Sequence, residues 1–210
     1  MDKPKNVEEF ISMHQSAVNQ NPECGNSHYN LAVGYVGQRR LEEAERELNA
    51  ALECSPNLAE AYVLLGGICL SRGDLDGCLD YNRKAVRVRP GFSEGYGNIG
   101  FVELQRGNVD EAIKNFERAT IFNFRYVQAF ANLGNAYLMK GMVDEAIAAN
   151  QKAITLAPDF APAYNNLTIA FLEKGDYAQA VEHYDKAVGL GFDVAPPIRQ
   201  EIEDHRAKLK

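Results

Sequence analysis

Proline spacing constrains this chain more than any other feature. Pro22, Pro56 and Pro90 stand 34 residues apart, and Pro158 lies 68, twice that interval, beyond Pro90. Such an interval marks an internal repeat, each copy one supersecondary unit that buries its apolar face only against its neighbours. Frames of 34 counted from Gly25 divide the chain into residues 25–58, 59–92, 93–126, 127–160 and 161–194, together 170 of 210 residues.

Aligned by frame, the seventh position reads Leu31, Leu65, Ile99, Leu133, Leu167, and the twenty-seventh is alanine throughout, from Ala51 through Ala85, Ala119 and Ala153 to Ala187. Aromatic residues fill most of the fourth position and small ones the eighth. Positions 4, 7, 8 and 11 fall on one stripe of a helix and positions 20, 24, 27 and 28 on a second, so each frame is predicted to be a helical hairpin. Gly73, Gly107, Gly141 and Gly175 are predicted to end the first helices, with Arg39 in the corresponding place of the first frame. Asp74, Asn108 and Asp176 are predicted N-caps of the second helices, Glu111 and Gln179 completing capping boxes.

The pattern resembles the tetratricopeptide repeat family, whose signature at this period is W-x2-L-G-x2-Y, A-x3-F and a closing proline. Tyrosine or phenylalanine replaces the opening tryptophan. Phe124 and Phe192 replace the closing proline in frames three and five, Glu103 replaces an aromatic residue, and Asn82 and Asn150 stand where an aromatic residue closes the second helix. The resemblance implies an all-α, right-handed solenoid of five helix-turn-helix hairpins. Residues 1–24 read as a helix from a truncated preceding repeat. Residues 195–210 read as a C-terminal capping helix, Ile198, Ile202 and Leu209 sharing its apolar face.

Composition narrows the functional class. The balance of 22 basic against 29 acidic residues gives a net charge of −7, which argues against a grip on nucleic acid or anionic lipid and favours a neutral to basic protein partner. The longest apolar stretch, Ala61 to Leu70, is half the ~20 residues a bilayer span needs, and no signal peptide is legible. Cys24, Cys54, Cys69 and Cys78 match no metal or redox spacing, so a reducing cytoplasm is the expected compartment. Cys69 and Cys78 fall in core columns. His14, His28, His183 and His205 are scattered over different helices, and no hydrolase, metalloprotease or phosphate-loop motif is present. The expectation is a protein with no catalytic residue, no cofactor and no metal.

The sharpest functional signal is the sixth position: Asn30, Leu64, Asn98, Asn132, Asn166. These side chains are predicted to point away from their own hairpin core and to line a common face. Asparagine is a poorer helix former than alanine by roughly half a kcal/mol. A primary amide both donates and accepts, and so holds a peptide group of any sequence. The column resembles the asparagine ladder in the repeats of O-linked N-acetylglucosamine transferase and kinesin light chain, which implies the same role for Asn30, Asn98, Asn132 and Asn166. The alternative is that these amides bond between repeats. The same face carries Val33, Phe101, Asn135, Met139 and Ile169, together with Glu60, Glu94 and Gly67, but no lysine or arginine. Family members that clamp chaperone carboxylate tails use basic residues there, so that activity is not expected.

Phe124 and Tyr126, in the run Ile121 to Tyr126, form a second candidate contact, with Phe122 assigned to the core by its column. The functional expectation is a non-catalytic module that binds a peptide or helix of a partner protein in a groove. The alternatives are a scaffold that self-associates into a homo-oligomer, and the substrate-recognition subunit of a glycosyltransferase system.

Overall fold

A computed structural model describes residues 6–208 of the chain. Among the described residues the chain forms twelve helices and no strand. The first helices of the hairpins are α2 (Gly25–Gly37), α4 (Ala59–Ser71), α6 (Ser93–Gln105), α8 (Val127–Met139) and α10 (Ala161–Lys174). Their partners are α3 (Leu41–Cys54), α5 (Leu75–Val88), α7 (Val109–Phe122), α9 (Val143–Leu156) and α11 (Tyr177–Gly189). Both sets start at intervals of 34 residues. Helices α1 (Val7–Gln20) and α12 (Pro196–Lys208) flank them. The fold class is the all-α solenoid of helical hairpins, divided into two compact units, residues 1–99 and 100–210.

The period persists because local chemistry closes every hairpin the same way. Gly73, Gly107, Gly141 and Gly175 have φ of 76°, 77°, 74° and 78°, the left-handed region in which a Cβ is penalised. Arg39 adopts φ 59° in the same place. The first turn therefore matches the others: the Arg40 N–H donates to the Tyr35 carbonyl at 2.9 Å, just as Asp74 donates to Cys69 and Asp176 to Phe171, both at 2.9 Å. This bond caps the first helix as in a Schellman turn.

The side-chain caps divide. Asp74 accepts from the Gly77 N–H at 2.8 Å and Asp176 from Gln179 at 3.2 Å. Asn108 does not cap; its amide donates instead to the carboxylate of Glu103 at 2.8 Å. Glu103 is buried, and a buried carboxylate must be hydrogen-bonded, so the departure at Glu103 recruits the neighbouring cap residue. The expected capping boxes do not form. Glu111 accepts from Lys114 and Asn115, and Gln179 donates to Glu182.

In the first unit Leu31, Tyr35, Leu48, Leu65 and Ile68 form the core, with Val18 of α1 buried against it. Phe10 and Ile11 of α1 lie over Gly34, where a Cβ would meet Ile11 Cγ1 at 2.6 Å. Close approach of α1 and α2 thus requires a glycine there. His28 is buried between Glu47 (2.6 Å from Nδ1) and the Pro22 carbonyl (2.8 Å from Nε2). Both neighbours are acceptors, so the ring donates from both nitrogens when it is protonated. Burial pulls its pKa down, but the hydrogen bonds to Glu47 and Pro22 outweigh it and leave the pKa raised. The stabilisation is present in full below the unfolded value of about 6.5 and lost as pH rises through the higher folded value. Urea midpoints of the wild type should fall from pH 6 upward relative to those of His28→Gln; parallel pH profiles would refute this assignment.

In the second unit Leu133, Ala136 and Phe116 form one cluster, and Leu167, Phe171, Tyr184, Val194 and Ile202 another. Phe116 packs on Gly100, where a Cβ would stand 2.8 Å from the ring. Helix α12 docks through Ile202, fully buried, and Ile198, partly buried; Leu209 lies outside the described residues. The alanine column is 0% exposed in every frame. Phe122 departs from its column: it is not core but 50% exposed, beside Ile121 at 74%. It is the last residue of α7, and Cys54, the last of α3, is exposed as well, whereas Val88 and Leu156 at the ends of α5 and α9 are half-buried. Cys78 is buried and Cys69 half-buried.

Candidate functional site

The sixth-position asparagines are half-buried, and they divide according to what the preceding hairpin offers. Asn82 and Asn150, at position 24 of their frames, are fully buried. Each donates its amide to the carbonyl four residues back, Cys78 and Ala146, at 2.8 Å. Their side-chain oxygens then accept from the next hairpin: Asn98 Nδ2 donates to Asn82 at 3.0 Å and Asn166 Nδ2 to Asn150 at 3.1 Å. Asn166 Nδ2 also donates to the Ala131 carbonyl at 3.0 Å. Two of the four candidate rungs therefore hold hairpins together. Asn98 keeps its carbonyl oxygen and one N–H, and Asn166 keeps its oxygen.

The other two are freer. Position 24 before Asn132 is Phe116, which offers no acceptor, and Asn132 Oδ1 accepts from Gln128 of its own helix at 2.8 Å. Asn30 and Asn135 make no side-chain hydrogen bond to another described residue. Sequence reasoning held bonding between repeats as the alternative but did not name the partners, although a signal existed: Asn82 with Asn98 and Asn150 with Asn166 are both 16 residues apart, and where position 24 is Leu48 the residue 16 further on is Leu64.

Apolar members of the face differ in exposure. Met139 is 55% exposed and Val33 38%. Ile169 and Phe101 are partly buried against the second unit's core clusters. In the first unit a cleft of about 570 Å³ opens on this face. Val63, Leu64 and Gly67 line it with the rings of Tyr29 and Phe92, and Glu60, Glu94 and Asn98 supply its polar groups. Arg89, which sequence did not place here, reaches Glu60 from the end of α5 in a bidentate pair at 2.6 and 2.9 Å and stacks over Phe92 at 4.8 Å. Burial raises the Glu60 pKa, but the Arg89 hydrogen bonds prevail and lower it. Glu94 accepts from the Ser93 hydroxyl at 2.8 Å.

The histidines do not converge. His14 packs against Phe10, His183 stacks on Phe171 and His205 on Tyr177, each engaged with a ring on its own or the adjacent helix. No group of three or more His, Cys, Asp or Glu side chains among the described residues is placed to hold a metal ion. No described helix is long and apolar enough to cross a membrane. Of the second candidate, Phe124 is 69% exposed and Tyr126 half-buried.

This arrangement of paired helices and close-packed glycine and alanine columns defines a helical-repeat protein. Tetratricopeptide repeat profiles match residues 29–91, 127–160 and 149–182, and a TPR repeat profile matches residues 100–141. The chain belongs to the tetratricopeptide repeat family. Among solved structures it is similar to YrrB, a TPR protein with an unusual peptide-binding site, at 23% identity over 86% of this chain and 93% of that one, with a TM-score of 0.69. It is also similar to MamA, at 26% identity over 85% and 97%, TM-score 0.66. Pseudomonas aeruginosa pilF matches at 19% identity over 88% and 87%, TM-score 0.75. No curated protein matches the chain.

Proposed function

We propose that the chain is a non-catalytic protein–protein interaction module whose first-helix face takes a peptide or helix of a partner protein. The supporting observation is α8. Asn132, Asn135 and Met139 lie three and four residues apart on one side of that helix, the amides free of bonds to other hairpins and the methionine more than half exposed. Amides of this kind hold a peptide backbone, and an adaptable thioether accepts varied side chains. YrrB, alike in fold, carries a peptide-binding site, which agrees with this reading. Hydrogen bonds from these amides at roughly 0.5–1.5 kcal/mol net each, together with the Met139 side chain, supply the binding.

The test is affinity capture from source lysate on the wild-type chain and on Asn132→Ala/Asn135→Ala. The double variant should lose the specific partner and keep its thermal melt, because neither amide holds another hairpin. Equal capture by both chains overturns the reading. A second reading, a scaffold that self-associates, is favoured by the exposed run Ile121, Phe122 and Phe124, larger than scattered surface apolar residues require. It predicts that the mass of the unliganded chain rises with concentration in light scattering.

A further inference from the structure

The first unit's cleft combines open space, aromatic walls and an excess of negative charge. Gly67 lies inside α4, where glycine costs roughly 1 kcal/mol relative to alanine. A Cβ there would meet no atom within 4 Å. No packing partner in the described fold requires the glycine, and its missing side chain deepens the cleft between Tyr29 and Phe92. Glu60 and Glu94 bring two carboxylates against one cation there among the described residues, Arg89, whose guanidinium fork is engaged by Glu60 and whose charge also acts on Glu94. Glu94 has a neutral hydroxyl as its hydrogen-bonding partner. The Oδ1 of Asn98 accepts nothing from the described residues, since this amide's one bond runs outward from Nδ2 to Asn82.

We propose that this cleft is the anchor subsite for an arginine or lysine side chain of the bound segment. This rests on the reading of the first-helix face as a peptide-binding surface and adds the partner's chemistry. The aliphatic stem lies on Val63 and Leu64 in the space above Gly67. The ring of Tyr29 flanks the cation, and Glu94 supplies the charge that Arg89 leaves unmatched. Asn98 Oδ1 accepts a backbone N–H of the same segment. The partner is thus a basic segment, in keeping with the chain's net charge of −7.

The experiment uses the full chain, isotopically labelled, titrated with two acetylated and amidated tripeptides: Ala-Arg-Ala, and its neutral isostere with citrulline in place of arginine. The arginine peptide should shift the backbone resonances of Gly67 and Asn98 and bind about tenfold more tightly than the citrulline peptide, about 1.4 kcal/mol. The preference should shrink with added salt. Glu94→Gln should equalise the two peptides, and Gly67→Leu, on an exposed position, should block both. Equal affinity of the wild type for the two peptides removes the cation assignment while leaving the peptide-binding face in place. Absence of any shift at Gly67 and Asn98 at millimolar peptide overturns the subsite. The peptide-binding face itself is judged separately, by the Asn132→Ala/Asn135→Ala capture.

Discussion

Replacing Asn166 by alanine is expected to destabilise the protein by about 1–3 kcal/mol, even though alanine is the better helix former. The sequence alone suggests a neutral change, since position 6 points away from its own hairpin. The structure reverses that expectation: Asn166 donates to the fully buried Asn150 and to the Ala131 carbonyl. Its loss leaves the Asn150 oxygen desolvated and unpaired, and this penalty exceeds the small net worth of the bond itself. Removing both amides should cost less than removing one. Asn150→Leu/Asn166→Leu reproduces Leu48 and Leu64, the pair the first two frames already use, and should fall within about 1 kcal/mol of the wild type, because no orphaned polar group remains. Urea unfolding of the two singles and the double gives the coupling energy directly. A double variant as unstable as the sum of the singles would show that the amide bond is not the stabilising element.

A larger loss is expected for Leu167→Asp. Leu167 is 0% exposed at the centre of a cluster with Tyr164, Phe171, Tyr184 and Ile202. Truncating such a leucine costs about 2–5 kcal/mol, and the carboxylate adds the penalty of a polar group buried without a partner. Against a typical total stability of about 5–15 kcal/mol, the second unit should lose its cooperative transition. Circular dichroism at 222 nm read against temperature is the measurement. Met139→Asp, on an exposed position of the same unit, is the control and should melt like the wild type. A normal transition for Leu167→Asp would remove the core assignment of the seventh column.

The hairpins were legible because their determinants are local. A residue at positive φ, glycine in four of the five frames, a small residue opposite a large one and an alanine at the closest approach recur along the chain, and each acts within a few residues of its own position. The Arg39 turn shows the same thing from the other side: the backbone bond from Arg40 to Tyr35 closes it without glycine. What was not legible depends on which hairpin comes before. A helical wheel gives the direction of Asn98 and Asn166 but not the buried amide waiting across the boundary. Phe122 was misread because its column says apolar, whereas exposure varies along that column, from half-buried at Val88 and Leu156 to exposed at Cys54 and Phe122. Asn108 was misread because its competitor for a hydrogen bond, the buried Glu103, comes from the preceding helix.

The amide pairs also make the order of the hairpins matter. A frame that carries a buried asparagine at position 24 of its second helix needs a successor with an asparagine at position 6. Frame four, with Asn132 and Asn150, satisfies this rule with a copy of itself, so a tandem duplication of residues 127–160 would join cleanly. Frame two, with Leu64 and Asn82, would set a buried amide against a leucine if duplicated. The array therefore has a grammar: it lengthens readily by copying its fourth hairpin, resists copying its second, and does not tolerate arbitrary reshuffling of members that look interchangeable one at a time.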